Sequence, residues 1–149
     1  TIDINDYIMG YTYKYPRPAV TADAVVITKN ERRMVLLIQR ANDPYKGCWA
    51  FPGGFMDMDE TAEQCAFREL KEETGLQLSE AIQIGCYSDV NRDPRGRTLS
   101  VAYLMLVDNE MPVSGQDDAV QAKWWPIDEL PTLAFDHKQI IEDALKKTI

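Results

Sequence analysis

The sequence predicts one α/β domain with a mixed central β-sheet. Strand-like runs occur both before and after one strongly marked helix, and a second amphipathic helix follows the last strand. No internal repeat or linker interrupts the 149 residues. With 45% hydrophobic and 27% charged residues, a chain of this length has a hydrophobic core without needing disulfide cross-links.

The first part of the chain contains an irregular segment and two buried strands. Residues 1–18 are rich in tyrosine without a sustained period, and we interpret them as an N-terminal arm that packs on a single domain over 19–149. The β-branched and aliphatic runs at 19–28 and 34–40 predict two largely buried strands. A loop follows, and then a short strand that ends at Pro52 and two glycines.

The strongest helix signal covers residues 61–74. Thr61 and Gln64 have the spacing of a capping box, and no helix breaker occurs until Gly75. Further strands are expected within 81–90, 98–107 and 120–127. An amphipathic helix from about Asp136 to Lys147 should cover the sheet.

Charge and composition exclude several classes of protein. A net charge of −8 repels a phosphate backbone, so we expect no nucleic-acid polymer as a partner, although a nucleotide held through a metal is compatible with it. No apolar run approaches the ~20 residues that span a bilayer, and no secretion leader opens the chain. We therefore expect a cytoplasmic protein without a membrane segment. Cys48, Cys65 and Cys86 are too few and too scattered for a disulfide or zinc framework, and we interpret them as small buried residues.

Seven acidic residues lie between Asp57 and Glu73. A solvent-exposed helix face is the simplest interpretation, but the helical period opposes it. It places Glu69 and Glu73 on the stripe of small apolar residues that should face the sheet, with Glu72 on its flank. Arg68 points roughly the other way. Half-buried carboxylates repel one another unless a cation lies among them, and hard oxygen ligands favour Mg²⁺ or Mn²⁺.

The spacing around these acids resembles the Nudix hydrolase signature at every defined position. Gly54 is followed after five residues by Glu60, and after seven more by the run RELKEETGL over 68–76. The resemblance implies a Nudix-type α/β/α sandwich with a mixed central sheet. It also implies that the three glutamates of the run bind the metal: Glu69, Glu72 and Glu73.

The other parts of the signature have physical reasons. Gly53 and Gly54 allow a tight turn that brings a backbone carbonyl to the metal. Arg68 suits a fork-like pairing with Glu60 or a neighbour, which would fix the loop against the helix. The general base comes either from the signature helix or from a loop outside it, where Asp117 and Asp118 are the candidates. The catalytic candidates are therefore Glu72, Glu69, Arg68, Glu60 and Asp118.

Segments outside the signature resemble the ADP-ribose pyrophosphatase branch of this family over about residues 21–144. This resemblance implies hydrolysis of ADP-ribose to AMP and ribose 5-phosphate, and a homodimer. Two alternatives stay open: hydrolysis of oxidised nucleoside triphosphates, as in housecleaning enzymes, and a non-catalytic ADP-ribose-sensing domain. Because the chain ends soon after its last predicted helix, we expect no fused DNA-binding module.

Three arginines stand close together in the turn NRDPRGR. A basic loop in an acidic protein suits an anion, so we expect Arg95 and Arg97 to bind the substrate; a solvated turn is the alternative. Arg40, at a strand end, either reaches a phosphate of the substrate as well or extends its charged end to solvent. The tyrosines of the arm either stack on a base or contribute to packing and dimerisation. His137 is expected to be structural.

Overall fold

The computed structural model describes residues 11–148, in which a seven-stranded sheet lies between two helices. Its elements are β1 Ala19–Thr28, β2 Met34–Arg40, β3 Trp49–Ala50, β4 Gly53–Phe55, α1 Ala62–Thr74, β5 Ile82–Tyr87, β6 Thr98–Val107, β7 Ala119–Pro126, a 3-10 turn Ile127–Glu129 and α2 His137–Lys146. Both predicted helices and the long predicted strands are therefore present. The expected short strand around Pro52 is two strands, β3 and β4, because the chain turns at Phe51 and Pro52.

The sheet is mixed, as predicted. β1 runs parallel to β6 along its whole length, from the pair Ala19 and Thr98 to the pair Thr28 and Val107. All other strand pairs within residues 11–148 are antiparallel. The main order is β3-β2-β1-β6-β5, with β4 beside β1 and β7 beside β2.

The two central strands β1 and β2 diverge. They share only the register pair Ile27 and Val35. Beyond it β1 pairs with β4 over Thr21 to Asp23, whereas β2 pairs with β3 at Ile38 and Gln39. The sheet thus opens into a cleft at one end, between β1 and β2.

Alternate residues of β1 contribute to two cores. The side of β1 facing α1 packs in a cluster that includes Ala22, Ala24, Val26, Cys65, Ala66 and Leu70. The other side packs in a cluster that includes Val25, Ile27, Ile140, Ile141 and Ala144. Each fully buried aliphatic side chain contributes about 1.5–3 kcal/mol relative to exposure, so both faces hold a helix against the sheet. This is the predicted α/β/α sandwich.

Helix α1 has the predicted ends. Gln64 N–H donates to Thr61 Oγ1 at 3.1 Å, and Thr61 N–H donates to Gln64 Oε1 at 2.9 Å. Gly75 ends the helix with φ 79°, and its N–H donates to Lys71 O at 2.9 Å. Most residues avoid this left-handed conformation, so glycine fixes the end of the helix that carries the acids.

The three cysteines differ in burial. Cys65 is buried, but Cys48 is half-buried and Cys86 is exposed, so the expectation of three buried thiols was wrong; Cys86 lies on β5, at the edge of the sheet.

In the described part of the arm, residues 11–18 are exposed, and residues 1–10 lie outside the described structure. No helix within residues 11–148 is long and apolar enough to cross a membrane.

Candidate active site

A cavity of about 260 Å³ lies where β1 and β2 diverge. Strands, both helices and several loops contribute to its walls, so it collects residues far apart in sequence. The residues that line it include Asp23, Arg40, Phe51, Phe55, Glu69, Glu73, Arg92, Asp93, Arg95, Asp118, Phe135 and His137, together with Gly53 and Gly54.

The glycine pair of β4 lets the chain pass between β1 and helix α1. A Cβ atom on Gly54 would lie 2.6 Å from the carboxyl carbon of Glu69, and one on Gly53 would lie 2.4 Å from Ala22 O. Gly53 N–H donates to Glu73 Oε2 at 3.4 Å, and Gly54 O accepts from the Cys65 thiol at 3.5 Å. The pair therefore brings backbone into direct contact with the acids of α1.

Arg68, in the middle of α1, forms several ion pairs. Its Nε and Nη2 donate to both oxygens of Glu60 at 2.9 and 2.7 Å, which is the fork-like pairing predicted from the sequence. Its Nη1 also donates to Glu69 Oε1 at 2.9 Å and Glu72 Oε2 at 3.1 Å. The expectation that Arg68 points away from the acids was wrong, because a long flexible side chain places its charge far from the direction of its Cβ.

Glu60 is held as an ionised partner of this arginine. The hydrogen bonds from Arg68 lower its pKa to about 2, against the smaller opposing effect of burial. Glu60 Oε1 also accepts from Asp57 N–H at 2.9 Å. The loop that precedes α1 is thus fixed to the helix by one carboxylate.

Glu69 and Glu73 are buried, at 4% and 7% exposure, as the helical period predicts. Burial, followed by the neighbouring charges of Glu69 and Asp23, raises the pKa of Glu73 well above its ordinary value. Carboxylates packed this closely are stabilised by a cation, and their oxygens are the donors that hard divalent ions prefer. The backbone of Gly54 lies against the Glu69 carboxylate.

The carboxylates are not arranged as a finished metal site. Within residues 11–148, no three His, Cys, Asp or Glu side chains converge as a group that could hold an ion. Arg68 explains this, because it holds one oxygen each of Glu69 and Glu72. The donor chemistry therefore fits a divalent cation, and the arginine provides the positive charge in the structure described.

The basic loop does not act as one unit. Arg95 lines the cavity and pairs with Asp93 at 2.8 Å, whereas Arg92 is buried against Asp136 at 2.6 Å. Arg97 is exposed, is not among the lining residues, and donates weakly to Asp89 O at 3.5 Å. The predicted substrate contact of Arg97 thus has no support in the structure, because the turn at Gly96, with φ 153°, comes between it and Arg95.

The other predicted contacts lie at the cavity. Arg40 lines its wall, and its Nε donates to Pro44 O at 2.7 Å. Of the two loop aspartates left open as a general base, Asp118 lines the cavity; Asp117, with φ 51°, forms the turn before it and is not among the lining residues.

Sequence reasoning missed the floor of the cavity. Asp23 is a single acid within the apolar run of β1, and its Oδ2 accepts from Ser100 Oγ at 2.5 Å. His137 accepts from Phe51 N–H through Nδ1 at 3.2 Å, and its Nε2 lies 3.8 Å from Asp23 Oδ2. Burial lowers the pKa of His137, so it is neutral near pH 7. A lone aspartate in a buried strand was the signal available for Asp23.

The tyrosines of the arm form a separate exposed group. Tyr11 and Tyr13 stack with their ring centroids 6.1 Å apart, and Arg17 lies 3.7 Å from the Tyr13 centroid. None of the tyrosines in residues 11–18 is among the residues that line the cavity.

The chain resembles known proteins in both sequence and structure. The NUDIX domain model matches residues 17–144. The chain is 41% identical to an ADP-ribose pyrophosphatase of Methanocaldococcus jannaschii over 133 residues, covering 89% of this chain and 76% of that protein. It is 32% identical to the ADPR responsive transcriptional repressor NtrR of Acinetobacter baylyi, over 89% of this chain and 55% of the repressor. Its structure resembles the NUDIX domain of Shewanella oneidensis NrtR complexed with ADP ribose, with a TM-score of 0.85 and 34% identity over 99% of this chain and 100% of that one.

Proposed function

The chain belongs to the NUDIX domain family, and on this premise we propose that it hydrolyses the diphosphate bond of ADP-ribose to give AMP and ribose 5-phosphate. One observation carries the proposal: a single cavity is lined both by the buried carboxylates of Glu69 and Glu73 and by Arg40 and Arg95. A diphosphate needs positive charge on both sides, which a cation on the carboxylates and the two arginines would provide. The name of the 41% identical relative supports the same substrate.

The metal-binding candidates are the signature glutamates and the glycine turn. Glu69, Glu72, Glu73 and a carbonyl of Gly53 or Gly54 would hold Mg²⁺ or Mn²⁺. When bound, such an ion neutralises phosphate charge and increases the acidity of water. Because Arg68 contacts Glu69 and Glu72 in the structure described, these two carboxylates would have to give up that contact to hold the ion.

The remaining catalytic candidates act around this group. Glu60 holds Arg68, and with it the loop before α1, against the helix. Asp118 lies at the cavity wall, where it would accept a proton from attacking water; a glutamate of the signature helix is the alternative base.

A panel of nucleotides tests the proposed substrate. We expect release of AMP from ADP-ribose with Mg²⁺ or Mn²⁺, much faster than turnover of ordinary or oxidised nucleoside triphosphates. The reverse preference would favour the housecleaning alternative.

A sensing domain is the second candidate, because the structural match extends over the whole of a domain whose structure was determined with ADP ribose. Tight binding of ADP-ribose without release of AMP, in the presence of either metal, would support it. Hydrolysis at ordinary enzymatic rates would exclude it.

Arg95 and Arg97 provide a matched test of the substrate contact. We expect Arg95→Ala to raise KM for ADP-ribose by more than tenfold, a loss of at least about 1.4 kcal/mol, because its guanidinium lies at the cavity. Arg97→Ala removes the same charge outside the cavity and should change KM by less than twofold. Equal effects of the two substitutions would contradict a local contact.

We also propose that the protein is a cytoplasmic homodimer. Exposed Tyr11, Tyr13 and Tyr15 give residues 11–18 an aromatic surface suited to a second copy of the chain. Unpaired cysteines suit a reducing compartment. Light scattering after size-exclusion chromatography tests the dimer, and a monomer at micromolar concentration would contradict it.

A further inference from the structure

One aromatic ring lies beside two of the three arginines that line the cavity, Arg40 and Arg95. The guanidinium carbon of Arg40 is 5.1 Å from the ring centroid of Phe135, and that of Arg95 is 5.4 Å from the same centroid. These distances are typical of cation–π contacts. Phe135 thus brings two cations from distant parts of the chain to one place on the cavity wall.

The second arginine is also connected to the acidic side of the site. The Arg95 guanidinium carbon lies 4.9 Å from the ring centroid of Phe55, at the end of β4. Phe55 O accepts from Arg68 Nη2 at 3.1 Å. The position of Arg95 is therefore set relative to both Phe135 and the strand that touches the glutamates.

The backbone at Phe135 has an unusual conformation. Its φ is 52°, a left-handed value that is uncommon for a bulky side chain. Tyr45, whose ring centroid is 4.8 Å from that of Phe135, also has a positive φ of 61°. Surrounding contacts must offset the cost of such conformations, which occur preferentially at functional sites.

The charges around the ring favour an anion. Arg40 donates through Nε to Pro44 O, and within residues 11–148 no hydrogen bond occupies its Nη atoms. Burial, and then the like charge of Arg95, lowers the pKa of Arg40. Glu73, Asp93, which pairs with Arg95, and Asp118 only partly compensate this repulsion. An anion bound by both guanidinium groups would relieve it.

We propose that Phe135 is a positioning residue that holds Arg40 and Arg95 side by side as a clamp for the diphosphate group of the substrate. This inference rests on the proposed function for the identity of the substrate. The ring itself does not touch the reacting atoms; it acts through the two arginines. A residue of this kind affects the binding of the anion and not the chemical step.

Calorimetric titration with inorganic pyrophosphate in EDTA tests the clamp without turnover or metal. We expect wild-type protein to bind pyrophosphate, and Phe135→Leu to bind it at least fivefold more weakly. Phe135→Asn also lacks the ring, but asparagine adopts a positive φ more readily than most residues, so the backbone is not strained further. It should lose the same affinity for pyrophosphate as Phe135→Leu. Phe135→Tyr keeps the ring and should stay within twofold of wild type.

Tyr45→Leu is the matched control. It removes the exposed ring beside Phe135 but leaves the arginine contacts, so affinity for pyrophosphate should change by less than twofold. The clamp is overturned if wild-type protein does not bind pyrophosphate, if the ring-free variants bind it as tightly as wild type, or if Phe135→Tyr loses as much as Phe135→Leu.

Kinetics with ADP-ribose provide a second measurement. Phe135→Leu should raise KM at least fivefold with kcat changed by less than twofold; a fall in kcat at unchanged KM would contradict a positioning role. Failure of the proposed function would appear differently, as no AMP release by wild-type protein, while the pyrophosphate titration would still decide the clamp.

Discussion

Arg68 is the residue that balances charge in this site. Its guanidinium group contacts three glutamates. Glu60 lies in the loop before α1, Glu69 at a buried position of the helix, and Glu72 at a half-exposed one. Removing one partner of a hydrogen-bonded charge leaves the others to compensate it, at a cost of about 1–3 kcal/mol. The stability and the chemistry of the site therefore depend on the same side chain.

Glu60→Gln should lower stability in a pH-dependent way. Arg68 lowers the pKa of Glu60 from 4.5 to about 2, so the ionised carboxylate stabilises the fold above pH 4.5, and this contribution is lost as the pH falls from about 4.5 to about 2. Urea unfolding at pH 7 should show a loss of about 1–3 kcal/mol, and the difference from wild type should shrink near pH 3. Glu63→Gln, at an exposed position of α1, is the control. Equal stability of the two variants at pH 7 would refute the role of the Arg68 pair.

Glu72→Gln and Glu73→Gln should each lower kcat by at least about a hundredfold, because both remove a charged oxygen donor while keeping shape. Steady-state hydrolysis of ADP-ribose measures this. Near-normal kcat in both variants would exclude the metal-ligand assignment.

The Glu73 variant has a further, opposite effect on stability. Because burial raises the pKa of Glu73, its charged form destabilises the fold increasingly as pH rises from 4.5 through the raised value. In EDTA at pH 8, Glu73→Gln should therefore melt at a higher temperature than wild type, and at pH 4 the difference should vanish. A lower melting temperature at pH 8 would show that the Gly53 hydrogen bond dominates.

At residue scale, the sequence predicts the acids better than their partners. The helical period correctly placed Glu69 and Glu73 toward the sheet, because Cβ directions follow from the backbone. It could not place the guanidinium of Arg68, which lies several rotatable bonds away. Phe135 and Asp23 reach the cavity through tertiary packing, which no spacing of residues in the sequence around them predicts.

At the scale of secondary-structure elements, the site depends on the packing of strand β4 against helix α1. They approach so closely that Gly54 touches the carboxylate of Glu69. Real Cβ atoms essentially never lie within 3.0 Å of such a neighbour. The carboxylate is the end of a flexible side chain, but its burial against the strand limits how far it can move, so an added Cβ would displace it.

Gly54→Ala should therefore separate β4 from α1. We expect a loss of about 1–3 kcal/mol in stability from overpacking, and a fall in kcat of at least about tenfold from the displaced Glu69. Gly85→Ala, in β5, is the control, because its added Cβ would meet only ordinary contacts at 3.9 Å. Retention of wild-type kcat by Gly54→Ala would show that Glu69 adjusts freely.

Element bounds were largely predictable where local rules are strong. The capping box and Gly75 define α1, and the apolar runs define β1, β2 and β6, because caps and burial act within a few residues. The division of the segment around Pro52 into β3 and β4 was not predictable. It depends on β1 and β2 diverging, which no pattern within either strand encodes.

At the scale of the molecule, an acidic protein must bind an anionic substrate. The net charge of −8 opposes this, so under the proposed function affinity would come from Arg40, Arg95 and a cation on the glutamates. We expect the protein to stay folded in EDTA, because Arg68 neutralises the acids without metal. Mg²⁺ at about 100 times its Kd should then add about 2.7 kcal/mol. Scanning calorimetry with and without Mg²⁺ measures both, and an unfolded protein in EDTA would contradict this account.

The parallel pairing of β1 with β6 has a consequence for amide hydrogen exchange. Both strands lie inside the sheet and are paired from Ala19 to Thr28, so their amides should exchange only through global unfolding. Asp23, at the floor of the cavity, belongs to this most protected strand, whereas Arg95 belongs to an exposed turn. Local opening events that release Arg95 should thus leave Asp23 in place, and we expect product to leave past the turn that carries Arg95.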